Sequence, residues 1–230
     1  MEPATLYIVS TPIGNFYDIT LRAIRILTEC DFVICEEYKE AAKLLKFLNL
    51  KKELLELNEH NEKTDTDEIF HYLLEGKSLA LISDCGTPGF ADPGKRLINK
   101  CIEFNIKTEF LPGANSLMSA LVLCGFDISR FYFLGFLSPK SKERKFELTR
   151  ILRINRTIAM LETPYRLQAL LTDISEMSPE RKLFIGMNLT MNNEMKFRGT
   201  ASEILIKLKN VFGENKVKEE FVLIIDKFQK

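Results

Sequence analysis

The sequence predicts an α/β protein built as two αβα domains. Two observations carry that reading. Short β-rich runs alternate with amphipathic helical stretches along the 230 residues, the pattern of βαβ units whose mostly parallel sheet is buried on both faces. Around Leu111–Ser116 the pattern changes. "FLPGAN" reads as a strand-to-helix turn, an interdomain hinge, or both, and strand-like runs then crowd together, as in "KLFIGMNLTMNNEMKFRG". That spacing suggests a mixed second sheet. The domains are placed at 1–113 and 114–230.

The elements follow in order. Strands are expected at Leu6–Ser10, Phe32–Cys35, Glu53–Leu57, Leu79–Ser83 and Thr108–Leu111, then at Phe131–Leu134, Thr157–Leu161, Leu183–Met187 and Phe221–Ile225. Each is a short run rich in apolar or β-branched residues. Helical patterns lie between them. "ITLRAIRILTE" places Ile19, Ala23, Ile26 and Leu27 on one face. "TDTDEIFHYLLEG" opens on capping residues and stops at Gly76. "GKRLINKCIEFN" and "ANSLMSALVLCG" repeat the design.

Composition narrows the function. Apolar residues make up 46%, enough for a full core, and 32 basic residues balance 32 acidic ones. A nucleic-acid site must therefore be local, since no global field grips a polyanion. The cysteines Cys30, Cys35, Cys85, Cys101 and Cys124 have neither CxxC nor His spacing for a metal, so no metal is expected, and reduced thiols in a cytoplasmic protein are. "MEPATLYIVS" lacks the basic start and long apolar run of a signal peptide. No window approaches about 18 apolar residues, so no membrane span is expected.

Three loops that follow strands hold unusual residues: "STPIGN" (Ser10–Asn15), "SDCGTPGFADPG" (Ser83–Gly94) and "LPGANS" (Leu111–Ser116). In parallel α/β sheets, ligands bind beyond the carboxyl ends of strands. Glycines there let backbone groups approach a ligand, and prolines fix the loop in advance. Ser83–Gly94 is twice the length of an ordinary βα turn of about 2–6 residues. Neither GxGxxG nor GxxxxGK[ST] occurs, which leaves a dinucleotide or nucleoside triphosphate unsupported.

Taken with "LYIVSTPIGNFYDITLRAIRIL" and "FYFLGFLSPKSKERK", these loops resemble, in order and spacing, the tetrapyrrole methylase family, in its ribosomal RNA small-subunit methyltransferase I branch. The resemblance implies two αβα domains, a non-Rossmann cleft for S-adenosylmethionine (AdoMet) between them, a homodimer, and transfer of a methyl group to a cytidine 2′-hydroxyl in small-subunit rRNA. It places Asp84, Gly86, Thr87 and Pro88 in the cofactor loop, Pro12 on the opposite wall, and Ser116 at the carboxylate end. Second-domain contacts would fall on Leu161, Glu162, Asn188 and Leu189, and near Phe221–Leu223. The pattern departs from the family where an Asp-Thr-Arg run becomes Glu37–Lys39, where "RELTK" becomes Met187–Met191, and where "HR" becomes Tyr165-Arg166. Lys cannot replace Arg as a bidentate phosphate ligand.

Other residues leave alternatives open. Pro139–Arg156 carries seven basic residues against two acidic ones. It is a solvated helix face or, with Lys140, Lys142, Arg144 and Lys145, a patch that contacts RNA phosphates. Glu36 and Glu37 end a strand beside the expected cleft, as a solvated strand end or as carboxylates sharing a proton. Candidates for the base that takes the hydroxyl proton are Glu37, Lys39 and Lys140. His60 reads as a surface or hydrogen-bonding residue, with a base role as its alternative. Cys85 is the one thiol in the cofactor loop. Besides rRNA methylation, two functions stay open: methylation of a small tetrapyrrole-like molecule, and noncatalytic AdoMet or RNA binding.

Overall fold

The computed structural model describes residues 4–213 and 215–228. The chain divides into two compact units, one ending at Asn115 and the other beginning at Ser116.

The first unit runs β1 (Thr5–Val9), α1 (Leu21–Glu29), β2 (Phe32–Cys35), α2 (Tyr38–Phe47), β3 (Glu53–Glu56), α3 (Glu62–Leu74), β4 (Leu79–Ile82), α4 (Lys95–Glu103) and β5 (Lys107–Leu111). Its sheet has the order β3-β2-β4-β1-β5, parallel throughout. Successive strand residues point to opposite faces, and here both faces are core. Ala80 and Ile82 join Ala23, Ile26, Leu27 and Ala41 of α1 and α2. Leu79 and Leu81 join Ile69, Phe70, Leu73, Leu97 and Cys101 of α3 and α4. The continuous apolar run of β4 is the expected mark of a strand sandwiched between two helical layers. The Thr20 side chain accepts from the Ala23 N–H and so caps α1.

The second unit runs α5 (Ser116–Cys124), β6 (Phe131–Phe133), α6 (Ser141–Ile151), β7 (Thr157–Glu162), α7 (Leu167–Met177), β8 (Leu183–Met187), β9 (Met195–Gly199), α8 (Ala201–Phe212) and β10 (Phe221–Ile225). Its sheet order is β6-β7-β10-β8-β9. Only β6 and β7 pair in parallel; the other three pairs are antiparallel. Leu148, Ile151, Leu170, Ile174, Ile204 and Leu208 of α6, α7 and α8 pack on Ile158, Met160, Ile185 and Leu223. The alternate strand residues Ala159, Phe184 and Ile224 are buried as well, and α5 packs against β7, β8 and β10.

The expected mixed second sheet is present, with one strand, β9, that was not separately expected. It is an edge strand whose only buried residue is Phe197, while Lys196 and Arg198 are exposed, so its apolar signal is weak. α3 begins at Glu62, ahead of the expected capping run. Two asparagines close that turn: the Asn58 N–H donates to Asn61 Oδ1 at 2.7 Å, and Asn61 Nδ2 to the Glu56 carbonyl at 3.1 Å. Among the described residues, no helix is long and apolar enough to cross a membrane.

Candidate functional site

The parallel register of β1 with β4 and β5 brings the loops after these strands to one edge of the first sheet. There they are tied together. Thr11 and Gly86 exchange backbone bonds of 2.8 and 3.2 Å. Thr11 Oγ1 donates to the Ser83 carbonyl at 3.0 Å, and the Ser10 N–H to the Leu111 carbonyl at 3.1 Å. The hydroxyls of Ser10 and Thr87 lie 3.1 Å apart. A Cβ on Gly113 would stand 2.9 Å from Ser10 Cβ, so only glycine lets the third loop come this close.

Gly94 ends the long loop at φ +114, where a Cβ would meet Leu81 Cδ2 at 2.7 Å. The N-terminus of α4 that follows is already served: Glu62 Oε1 accepts from the N–H groups of Gly94 at 2.9 Å and Arg96 at 3.0 Å. Pro12, Gly86 and Pro88 are buried, whereas Asp84 and Thr87 are half-buried and Cys85 is exposed.

The end of β2 joins the same edge, because the Glu37 N–H donates to Asp84 Oδ1 at 3.2 Å. Beside it lies a cleft of about 440 Å³ lined by Glu36, Glu37, Tyr38, Lys39, Glu56, Asn58, Glu59 and His60. The region is rich in carboxylates. Burial, reinforced by Asp84, Asp92, Glu37 and Glu59, pushes the Glu36 carboxyl up to about 7. Burial also raises Asp84, although the Glu37 N–H partly offsets this, and burial raises Asp92. The cleft can therefore hold a proton near neutral pH. Among the described residues, no group of three or more His, Cys, Asp or Glu could hold a metal ion.

In the second unit the expected residues also converge on one sheet edge. Glu162 ends β7, Met187 ends β8 and Phe221 opens β10; Phe221 is paired with both of the others. Leu161 lies opposite Val222, and the Asn188 N–H donates to the Glu220 carbonyl at 2.9 Å. Asn188 and Thr190 adopt left-handed φ values of 46 and 69, unusual for residues other than glycine. Leu189 folds back over Gly186, where a Cβ would meet its Cδ2 at 2.9 Å. Glu162 is buried; its Oε1 accepts from the Thr163 N–H at 2.7 Å and pairs with Arg166, while Oε2 has no partner among the described residues. Ser116 opens α5.

The basic segment is divided differently from the expectation. Arg144 is a correction. Its guanidinium is buried against Asp173, with Nε and Nη2 at 3.0 and 2.9 Å from Oδ2, so it faces the protein and does not reach a phosphate. Position 144 turns inward beside the buried Leu148 and Ile151, and a count of charges along the chain does not register that geometry. Lys145 reaches Asp173 at 3.3 Å and Glu176 at 3.2 Å. Lys140 reaches Glu143 at 3.1 Å. Lys142 is exposed. Two positions were not singled out from sequence. Ser10 was visible only as a loop residue, and Glu62, the cap of α4, left no local signal.

These features describe a two-unit α/β chain with three loops tied together at one edge of its parallel sheet, and its relatives mark it as a methyltransferase. A chain from Thermotoga maritima named ribosomal RNA small subunit methyltransferase I is 40% identical over 91% of this chain and 95% of its own length. One of the same name from Neisseria meningitidis is 38% identical over 96% of this chain and 75% of its own. The crystal structure of a diphthine synthase superposes with a TM-score of 0.73 at 15% identity, covering 97% of this chain and 90% of that one. The chain belongs to the tetrapyrrole (corrin/porphyrin) methylase family, whose model matches residues 5–205.

Proposed function

We propose that the protein transfers a methyl group from AdoMet to the 2′-hydroxyl of a cytidine in small-subunit rRNA. The observation that carries this reading is the name shared by relatives 34–40% identical to the chain over nine-tenths of its length or more. When bound, AdoMet supplies an electrophilic methyl carbon on a sulfonium. The residues suit such a ligand. The Ser10 and Thr87 hydroxyls, the Asp84 carboxylate and the backbone around Gly86 offer polar contacts in the first unit. In the second unit, Glu162 Oε2 is a buried acceptor without a partner among the described residues. Pro12, Pro88, Ser116, Leu161, Asn188 and Leu189 complete the proposed contacts.

Transfer of this kind needs alignment above all, and a base to take the hydroxyl proton. Glu36, with its carboxyl pushed up to about 7, is suited to hold a proton near neutral pH. Glu37 and Lys39 line the same cleft and remain candidates. Lys140 donates to Glu143 and is proposed, with Lys142 and Lys145, as a contact to RNA. A homodimer and a cytoplasmic site of action complete the reading.

Mass spectrometry of small-subunit rRNA from cells with and without the protein tests the assignment. A 2′-O-methylcytidine present only with the protein is expected; identical modification maps would reject it. Light scattering should return twice the mass of one chain.

A further inference from the structure

We propose that the outward face of α6 binds an unstacked base of RNA on the ring of Phe146, with Lys142, Arg150 and Arg153 holding the adjacent phosphates. This rests on the rRNA reading above and deepens it by locating one contact. Lys142, Phe146 and Arg150 are spaced four residues apart, so they stack along one side of the helix. Arg153 continues that side just beyond Ile151. Phe146 is 65% exposed, and Lys142, Arg150 and Arg153 are all exposed.

A single exposed phenylalanine is ordinary. This one stands among cations that lack a counter-charge. None of Lys142, Arg150 and Arg153 has an ion pair among the described residues. The two acids of the helix are turned onto a different partner: Glu143 accepts from Ser138 Oγ at 2.7 Å and Glu147 from the Ser138 N–H at 3.0 Å. Arg144 and Lys145 are held by Asp173. What remains outward is an aromatic ring between unneutralised cations. An occupant needs flat π faces and a regular anionic backbone, and single-stranded RNA has both.

The test uses the intact protein and a labelled single-stranded fragment of small-subunit rRNA, with affinity measured across a salt series. Phe146→Ala should weaken binding by about 5- to 150-fold, the range for loss of one base–aromatic stack, and leave the log–log salt slope unchanged. Phe146→Trp should retain affinity. Replacing Lys142, Arg150 and Arg153 by Gln should flatten the slope by up to about 2, at about 0.7 per phosphate. Thermal melts should show all variants folded. If Phe146→Ala binds like wild type while wild type methylates rRNA, the inference fails and the function stands. If Phe146→Ala impairs binding only to intact ribosomal subunits, the face meets protein and the inference fails. Wild type that neither binds nor methylates the RNA overturns both.

Discussion

At the scale of single residues, the carboxylate-rich edge of the first sheet carries a stability cost. Glu36 has its carboxyl raised to about 7, first by burial and then by neighbouring acids, so the folded protein holds that proton more tightly than the unfolded chain does. Such a group contributes stability that is complete below its unfolded value of 4.5 and is lost as pH rises through about 7. Glu36→Gln, which stays neutral, should melt close to wild type at pH 4 and above it at pH 8; the same offset at both pH values would disprove the shift. If Glu36 is the base, the same variant should lose turnover at every pH, with little change in KM. Gly94 supplies a second test. Alanine there needs φ +114 and puts a Cβ 2.7 Å from Leu81 Cδ2, so Gly94→Ala should lower unfolding stability by about 1–3 kcal/mol in urea titrations.

At the scale of elements, α6 shows what local pattern cannot reveal. Arg144 and Asp173 are nearly inaccessible, with side chains 6% and 7% exposed. Arg144→Met leaves the buried Asp173 to the half-exposed Lys145 at 3.3 Å, so it should cost up to about 3–5 kcal/mol, and the double variant with Asp173→Leu should recover most of it. The capping box of Thr200 and Glu203 holds the start of α8; Thr200→Ala should cost about 1 kcal/mol. Strands buried on both faces, such as β4 and β8, were legible because their signal is local and unbroken. The site loops were legible because glycine and proline mark special backbone wherever they cluster. The pairing of Ser10 with Thr87 across 77 residues, the burial of Arg144 and the order of strands were not, because each depends on which distant segments meet. β9 fell between these cases, with one buried side chain and two exposed cations in five residues.

At the scale of the whole molecule, two units each close their own core. If the first-unit loops hold AdoMet as proposed, saturation should stabilise the fold by about 2.7 kcal/mol at a hundred times the wild-type Kd. Calorimetry should show that gain for wild type and a smaller one for Asp84→Ala and Thr87→Val; equal gains in all three would move the cofactor away from this loop. The position of β10 has a consequence for synthesis. It is the centre of the second sheet, hydrogen-bonded to β7 and β8 on either side, yet it follows every other strand of that sheet in sequence. As the chain leaves the ribosome, β6 with β7 and β8 with β9 emerge as two ribbons with nothing between them. Their inner edges stay open until translation delivers Phe221–Ile225. The first unit is complete by Asn115 and is free to fold while the second waits. Nascent chains stalled before β10 should therefore resist protease in the first unit and be cut in the second.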